Sequence, residues 1–265
     1  MSKIVVKPNK LQDISMLLNN QNIDGIIFPI ENLSVESSFF IDIDEVINLK
    51  TSKEKIVLIN KIMHNNDLEE LSIVLNKVKT SDISKIMFYD LSVYTLCKKL
   101  NIDKELVIYQ EHLNRSINSN NFYNNLGINY SYISSDITYE EIKQIKGKTN
   151  MKLFYLVYGR IPLFCSRRYL LSNYFKYINK NYNKGNYYIK NKDNKLYISE
   201  EDNATIIYSD IVNLINEDTS LIDYKVLDFN NIDNNNILDD FINNRKYREG
   251  LYLGFYNTKT TFRVK

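Results

Sequence analysis

The chain has 265 residues, and several polar side chains sit just after short apolar runs, where chemistry would be placed. Asn60 and His64 follow Lys55–Ile59, and Asp90 follows Ile86–Tyr89. Gln110, Glu111 and His112 follow Leu106–Tyr109, Asp136 follows Tyr130–Ile133, and Gly159 and Arg160 follow Leu153–Val157. Carboxylates and imidazoles suit proton transfer, and guanidinium groups hold phosphates or dicarboxylates in bidentate fashion. Each residue also has a plain structural use: Asn and Asp cap helices, Glu and Arg serve as solvated charge. Two histidines in different loops make no metal site without further ligands. No Ser-His-Asp order or GxSxG turn stands out, and Cys165 lacks an evident base, so nucleophilic hydrolysis finds little support.

A second signal lies in the charge. The formal net charge is +2, yet no Asp or Glu occurs from Ile142 to Lys192. That window carries twelve Lys and Arg, among them Arg160, Arg167, Arg168, Lys176, Lys180 and Lys184, which leaves 2 − 12 = −10 for the rest. Eight tyrosines from Tyr155 to Tyr188, including Tyr174, are interleaved with them. Cations with aromatics are what a surface needs to neutralise phosphates and stack unpaired bases, so RNA is the expected partner. A solvated Lys-rich face is the plain alternative.

The elements that must position these residues follow a repeated pattern. Apolar runs at Ile4–Val6, Gly25–Phe28, Lys55–Ile59, Ile86–Tyr89, Leu106–Tyr109, Tyr130–Ile133 and Leu153–Val157 recur at βα spacing. Helical periodicity lies between them at Leu11–Leu18, Leu68–Val78 and Glu140–Ile145, with Thr138 and Glu141 forming a capping box and Asp90 a helix cap. Tyr224–Leu227 completes an eighth strand and Ile237–Arg248 a last helix. The pattern predicts an α/β fold in one domain spanning 1–265: a TIM-like (β/α) barrel, whole or else incomplete or distorted, with active residues at the strands' carboxyl ends. No GxGxxG follows the first strand to support an open doubly wound sheet. After Val157 the rhythm breaks into a basic insertion over about 165–205, with a helix in LLSNYFKYI and a hairpin near Asn191–Leu196. The tail Leu251–Lys265 reads as an extended segment laid across the barrel.

An apolar fraction of 44% and a charged fraction of 25% are ordinary for a globular protein. No run reaches the roughly 18 apolar residues of a membrane span, and the N-terminus lacks a signal-like apolar region. The expected setting is the cytoplasm. Cys97 and Cys165 are too few for a disulfide framework or an iron–sulfur cluster.

Four blocks carry a family likeness: IVLINKIMHNNDLEEL, FYDLSVYTL, INSNNFYNNLGINYSYISSDITYEEI and YLVYGRIPLFCSRRYLLSNYF. They resemble successive blocks of the U32 "peptidase" family over most of residues 4–205, most specifically at Tyr158–Tyr174. KDNKLYISEEDNATIIYSD and GFYNTKTTF are similar to the short members that assist hydroxylation of the wobble uridine of tRNA. The resemblance implies a TIM-barrel-like fold, tRNA as partner, prephenate as a small-acid co-substrate and a longer U32 paralogue as a second subunit. Asn60, His64, Asn65, Asp90, Gly159, Ser166, Arg168, Leu170, Ser172 and Asn173 match the family's motifs, and Asp228 keeps the acid of a motif near the last strand.

Other positions depart. Tyr169 and Pro162 stand where many members have cysteine, Tyr158 where they have histidine, and Ser135-Asp136 where they have Arg-Glu. The later cluster cysteines are absent, so no iron–sulfur cluster is expected. The resemblance therefore implies a tRNA-modification component, with a catalytically degenerate scaffold or a U32-type hydrolase as alternatives. Strand-end position and the family motifs together make Asn60, His64, Asp90, Asp136, Arg160, Arg168 and Asp228 the candidate catalytic set; the basic window makes Arg167, Tyr174, Lys176, Lys180 and Lys184 the candidate RNA-binding set. Arg160 and Arg168 are expected to converge on a dianion at the barrel mouth, with Gly159 allowing close backbone approach.

Overall fold

The computed structural model describes residues 2–110, 114–183, 185, 187–191, 194–201, 204–215, 218–232, 238, 241, 251–252 and 254–258. Eight parallel strands form the barrel: β1 (Lys3–Lys7), β2 (Gly25–Pro29), β3 (Glu54–Ile59), β4 (Lys85–Phe88), β5 (Glu105–Tyr109), β6 (Tyr130–Tyr132), β7 (Lys152–Ser166) and β11 (Tyr224–Asp228). Consecutive strands pair in order, and β11 closes the ring by pairing with both β1 and β7. The alternation of each strand divides its apolar residues into two cores. Val5, Ile27, Leu58, Met87, Val107, Phe154 and Val226 fill the interior. Their sequence neighbours Val6, Ile26, Val57, Ile86, Ile108, Tyr155 and Leu227 belong to the core under the helices.

That outer layer holds α1 (Asp13–Asn19), α2 (Ile43–Asn48), α3 (Leu68–Thr80), α4 (Leu91–Lys99), α5 (Ile117–Asn125) and α6 (Tyr139–Lys148). Asp90 caps α4 by accepting from the Ser92 N–H at 2.9 Å. The Thr138–Glu141 capping box starts α6, as its spacing predicts. The helix expected over Ile237–Arg248 falls, except for 238 and 241, outside the described residues.

The seventh strand differs from expectation. It does not end at Val157 but continues to Ser166, because residues 158–166 leave the barrel and pair antiparallel with β10 (Ala204–Leu214). Pro162, which has no N–H to offer, sits where that ladder slips register. The insertion therefore runs from Arg167 to Asp223. It contains α7 (Leu170–Tyr177), β8 (Tyr187–Asn191), β9 (Asn194–Glu201) and β10, the hairpin turning between Asn191 and Asn194. Glu200, buried, holds α7 in place by accepting from the backbone N–H of Leu171 at 2.8 Å and of Ser172 at 3.2 Å. In the tail, β12 (Leu251–Tyr252) pairs with β10, and buried Tyr256 packs on Tyr139 and Tyr155. Among the described residues no helix is long and apolar enough to cross a membrane.

Candidate functional site

The carboxyl ends of β2 to β5, roofed by the extension of β7, enclose a cavity of about 110 Å³. Asn60 and Tyr89 directly follow β3 and β4, Tyr109 ends β5, Cys165 comes from the extension and Arg167 from the start of the insertion. Glu36 completes it from the loop after β2. That loop is pinned where Ile30 bridges Ile41, and Ser34 accepts from the Ile30 N–H at 2.8 Å.

Glu36 is the most constrained residue of the group. It is only 6% exposed, and its φ of 61° lies in the left-handed region. The other described non-glycine residues with positive φ are all Asn, which tolerates that conformation; Glu does not. Its carboxylate accepts from the Tyr109 hydroxyl at 3.1 Å and the Asn60 amide at 3.5 Å. Its backbone carbonyl accepts from the Lys7 ammonium and, at 3.0 Å, from the Asn230 amide. Lys7 also pairs with Asp228 at 3.1 Å, and Asp228 accepts from the Asn230 N–H at 2.9 Å. Four strand ends, β1, β3, β5 and β11, thereby hold one glutamate in an unfavourable backbone conformation.

The expected site residues are distributed unequally around this centre. Asn60 lies in it, and Asp228 lies behind it through Lys7. Asp90 is used twice for structure, capping α4 and accepting from the Met63 N–H at 3.1 Å. His64 is exposed, and its backbone N–H donates to Asp67 at 2.7 Å. Asp136 pairs with Arg115 at 2.7 Å beside a separate, smaller cavity under Ile161, Pro162 and Leu163.

Arg160 and Arg168 are not brought together in this cavity. Arg160 is mid-strand rather than in a βα loop, and its guanidinium donates to the carbonyls of Ser209 (3.1 Å) and Asp210 while lying over the Tyr197 ring. Arg168 is exposed on the insertion. The guanidinium that lines the cavity is that of Arg167, which donates to the Ile62 carbonyl at 2.7 Å and faces Asp67 at 3.4 Å. Burial works to raise the Asp67 carboxyl, but the Lys61 ammonium at 2.8 Å and the His64 N–H outweigh it and hold it below the usual range.

The basic window divides between two surfaces. Lys146, Lys148 and Lys152 lie where α6 ends and β7 begins, at the amino end of the barrel, and Lys146 pairs with Asp223 at 2.5 Å. Tyr174, Lys176 and Lys180 are exposed on and just after α7, together with Tyr177. Lys184, Glu111 and His112 lie outside the described residues. Lys7, Glu36, Tyr109 and Asn230 were missed by the sequence survey of strand ends. The signal was available, since Lys7 closes the first apolar run and Glu36 follows the second.

The cysteines do not fit a cluster. Cys97 is buried under the helix layer, where desolvation pushes its thiol up to about 12, whereas Cys165 is at the cavity. Among the described residues no group of three or more His, Cys, Asp or Glu could hold a metal.

The chain is 27% identical over 176 residues to tRNA hydroxylation protein P2 of Bacillus subtilis strain 168. That alignment covers 63% of this chain and 57% of the relative, so the chain spans little more than half the relative's length. No solved structure matches. Residues 31–229 match peptidase family U32, a stretch that takes in the Glu36 loop, the Gly159–Arg168 extension and the closing strand β11. With six of the eight barrel strands, the insertion and the cavity inside that match, the chain belongs to peptidase family U32.

Proposed function

We propose that this protein takes part in tRNA modification, assisting 5-hydroxylation of the wobble uridine together with a longer U32 paralogue. The observation that carries the reading is the α7 face: Tyr174 (56% exposed) and Tyr177 (85%) stand beside Lys176 and Lys180. No acid occurs anywhere between Ile142 and Lys192. Cations there would position phosphates and the rings would stack unpaired bases. The distant likeness to a tRNA hydroxylation protein supports the choice of RNA. Prephenate enters the proposal as the small-acid co-substrate, with Arg167 the guanidinium available to it at the cavity.

A partner role is favoured by one further observation. Asp90, Asp136, Asp228 and Arg160 are all committed to caps, ion pairs or strand carbonyls. The chain thus binds and presents RNA while the paralogue supplies the remaining chemistry. Deleting the gene and measuring tRNA nucleosides by mass spectrometry is expected to show loss of 5-hydroxyuridine. Unchanged nucleosides would end the reading.

The charge reversals Lys176→Glu and Lys180→Glu, combined, are expected to weaken binding to RNA of any sequence. They should also flatten the salt dependence, whose log–log slope is about −0.7 per neutralised phosphate on single strands. Equal affinity and slope in the double variant would leave this face as a solvated surface.

A further inference from the structure

We propose that the smaller cavity, at the carboxyl ends of β6 and β7, binds a short-chain monocarboxylate of acetate or propionate size. The proposal goes beyond the RNA reading and concerns a different place from the cavity at Arg167. This cavity, of about 70 Å³, has two chemically different walls. One is polar and comes from Ser134, Ser135 and Asp136 after β6, with Arg115 from the segment before α5. The other is apolar and comes from Ile161, Pro162 and Leu163 on the extension of β7. Ser135 is 3% exposed, and its Oγ has no hydrogen-bond partner among the described residues. Folded proteins seldom leave a buried hydroxyl unbonded, so its bond is available to a molecule in the cavity it lines.

Arg115 is positioned from both ends. On one side of it in the chain, buried Asn114 donates its N–H to the Gln110 carbonyl at 2.8 Å and accepts from the Ser134 N–H at 3.0 Å. On the other side, Ser116 caps α5 by accepting from the Ser119 N–H at 3.1 Å. At the tip, the Asp136 Oδ2 pairs with one guanidinium nitrogen at 2.7 Å, while the Asp136 Oδ1 accepts from the Ser134 hydroxyl. That ion pair is the one interaction of the Arg115 guanidinium among the described residues. The rest of its N–H fork remains for an anion.

Charge, shape and size each select. Arg115 and Asp136 cancel, so one negative charge is accepted beside the guanidinium, whereas a second would face the Asp136 carboxylate. A carboxylate matches the planar fork and takes the Ser135 hydroxyl as a further donor. A short alkyl end then meets Ile161, Pro162 and Leu163, a wall that a tetrahedral oxyanion would leave unused. The cavity has space for roughly five waters, which suits a molecule of acetate size and excludes a ring-bearing acid.

The test uses the full chain and saturation-transfer NMR, reading the methyl signal of acetate, with acetamide as its neutral isostere and sulfate as a dianionic competitor at constant ionic strength. Acetate is expected to receive saturation and acetamide not, and sulfate should fail to displace acetate. Arg115→Gln and Ser135→Ala should each weaken acetate binding by roughly 10-fold, the loss of one charge-assisted hydrogen bond. Ser135→Ala removes a single oxygen and leaves the ion pair in place, so its effect reads the site rather than the fold. Acetate binding unchanged in both variants would locate it elsewhere, at Arg167 for instance, and overturn the proposal. No transfer to acetate, equal transfer to acetamide, or displacement by sulfate would overturn it as well.

Discussion

Replacing Gly159 by valine is expected to destabilise the protein by about 3–5 kcal/mol, a large part of the roughly 5–15 kcal/mol a domain of this kind has. Gly159 has φ of 144°, a conformation that L residues adopt only under strain worth about 1–3 kcal/mol. A Cβ added there would lie 2.9 Å from the Asp228 carbonyl oxygen and 3.1 Å from the Asp228 Cβ. The obstacle is backbone, which cannot swing away as a side-chain tip can. The position is also structural pivot and gateway at once. Gly159 is where β7 leaves β11 and takes up β10, opposite Asn213, so displacing it moves the extension that carries Ile161 and Cys165 over the barrel mouth. Alanine should be damaging but less so, because it lacks the branched carbon. Urea denaturation decides the matter: a valine variant within about 0.5 kcal/mol of the parent would show that the strand can reroute.

The second large effect is expected at the opposite end of the barrel. Lys85, at the start of β4, is buried between Glu54 (2.9 Å) and Glu105 (2.7 Å), with the rings of Tyr130 and Tyr224 beside it. Burial alone would lower the Lys85 ammonium, but the hydrogen bonds it donates to Glu105 and Glu54 overcome that and raise it above its ordinary value. Burial likewise works to raise Glu54, and the bonds from Lys3 and Lys85 bring it below the usual carboxylate range. Glu105 is lowered in the same way, by Lys85 and the Tyr130 hydroxyl against its own desolvation.

Lys85→Met leaves these carboxylates facing each other without their shared cation, at a cost of about 3 kcal/mol at neutral pH. The pH dependence has a definite sign. Carboxylates with depressed folded pKa values contribute stability above their unfolded value, near 4.3, and lose it as pH falls through the folded value. The parent therefore weakens in acid. In Lys85→Met the carboxylates gain by protonation, so the deficit relative to the parent should shrink between about pH 5 and pH 3. A deficit that stays constant over that range, measured by urea titration at each pH, would show that Lys85 acts through packing alone.

The fold was legible because each barrel strand is buried on both faces and must be apolar along its length. Ile4–Val6 and Ile86–Tyr89 announce themselves in that way, and the helices between carry their own periodicity and caps, as Thr138 and Glu141 do. These are local signals, set within a few residues. The extension of β7 was not legible for the same reason. Nothing in YGRIPLFCS states that its partner lies some fifty residues on in β10, so Arg160 read as a loop residue when it is a strand residue holding β10's carbonyls.

The cavity shows the same division. Sequence alone determined the family blocks, the acid-free window and the assignment of Asn60 to a strand end. Tertiary structure alone decided that Glu36, Lys7 and Asn230 converge, because they lie 29 and 194 residues from one another along the chain and meet only when the barrel closes. It also decided that the basic window is two surfaces, since α6 descends the barrel to its amino end while the insertion stays beside the carboxyl end. Charge is a property of composition, but a site is a property of closure. Strand pairing across the whole chain, a non-local event, chose which polar residues face one another.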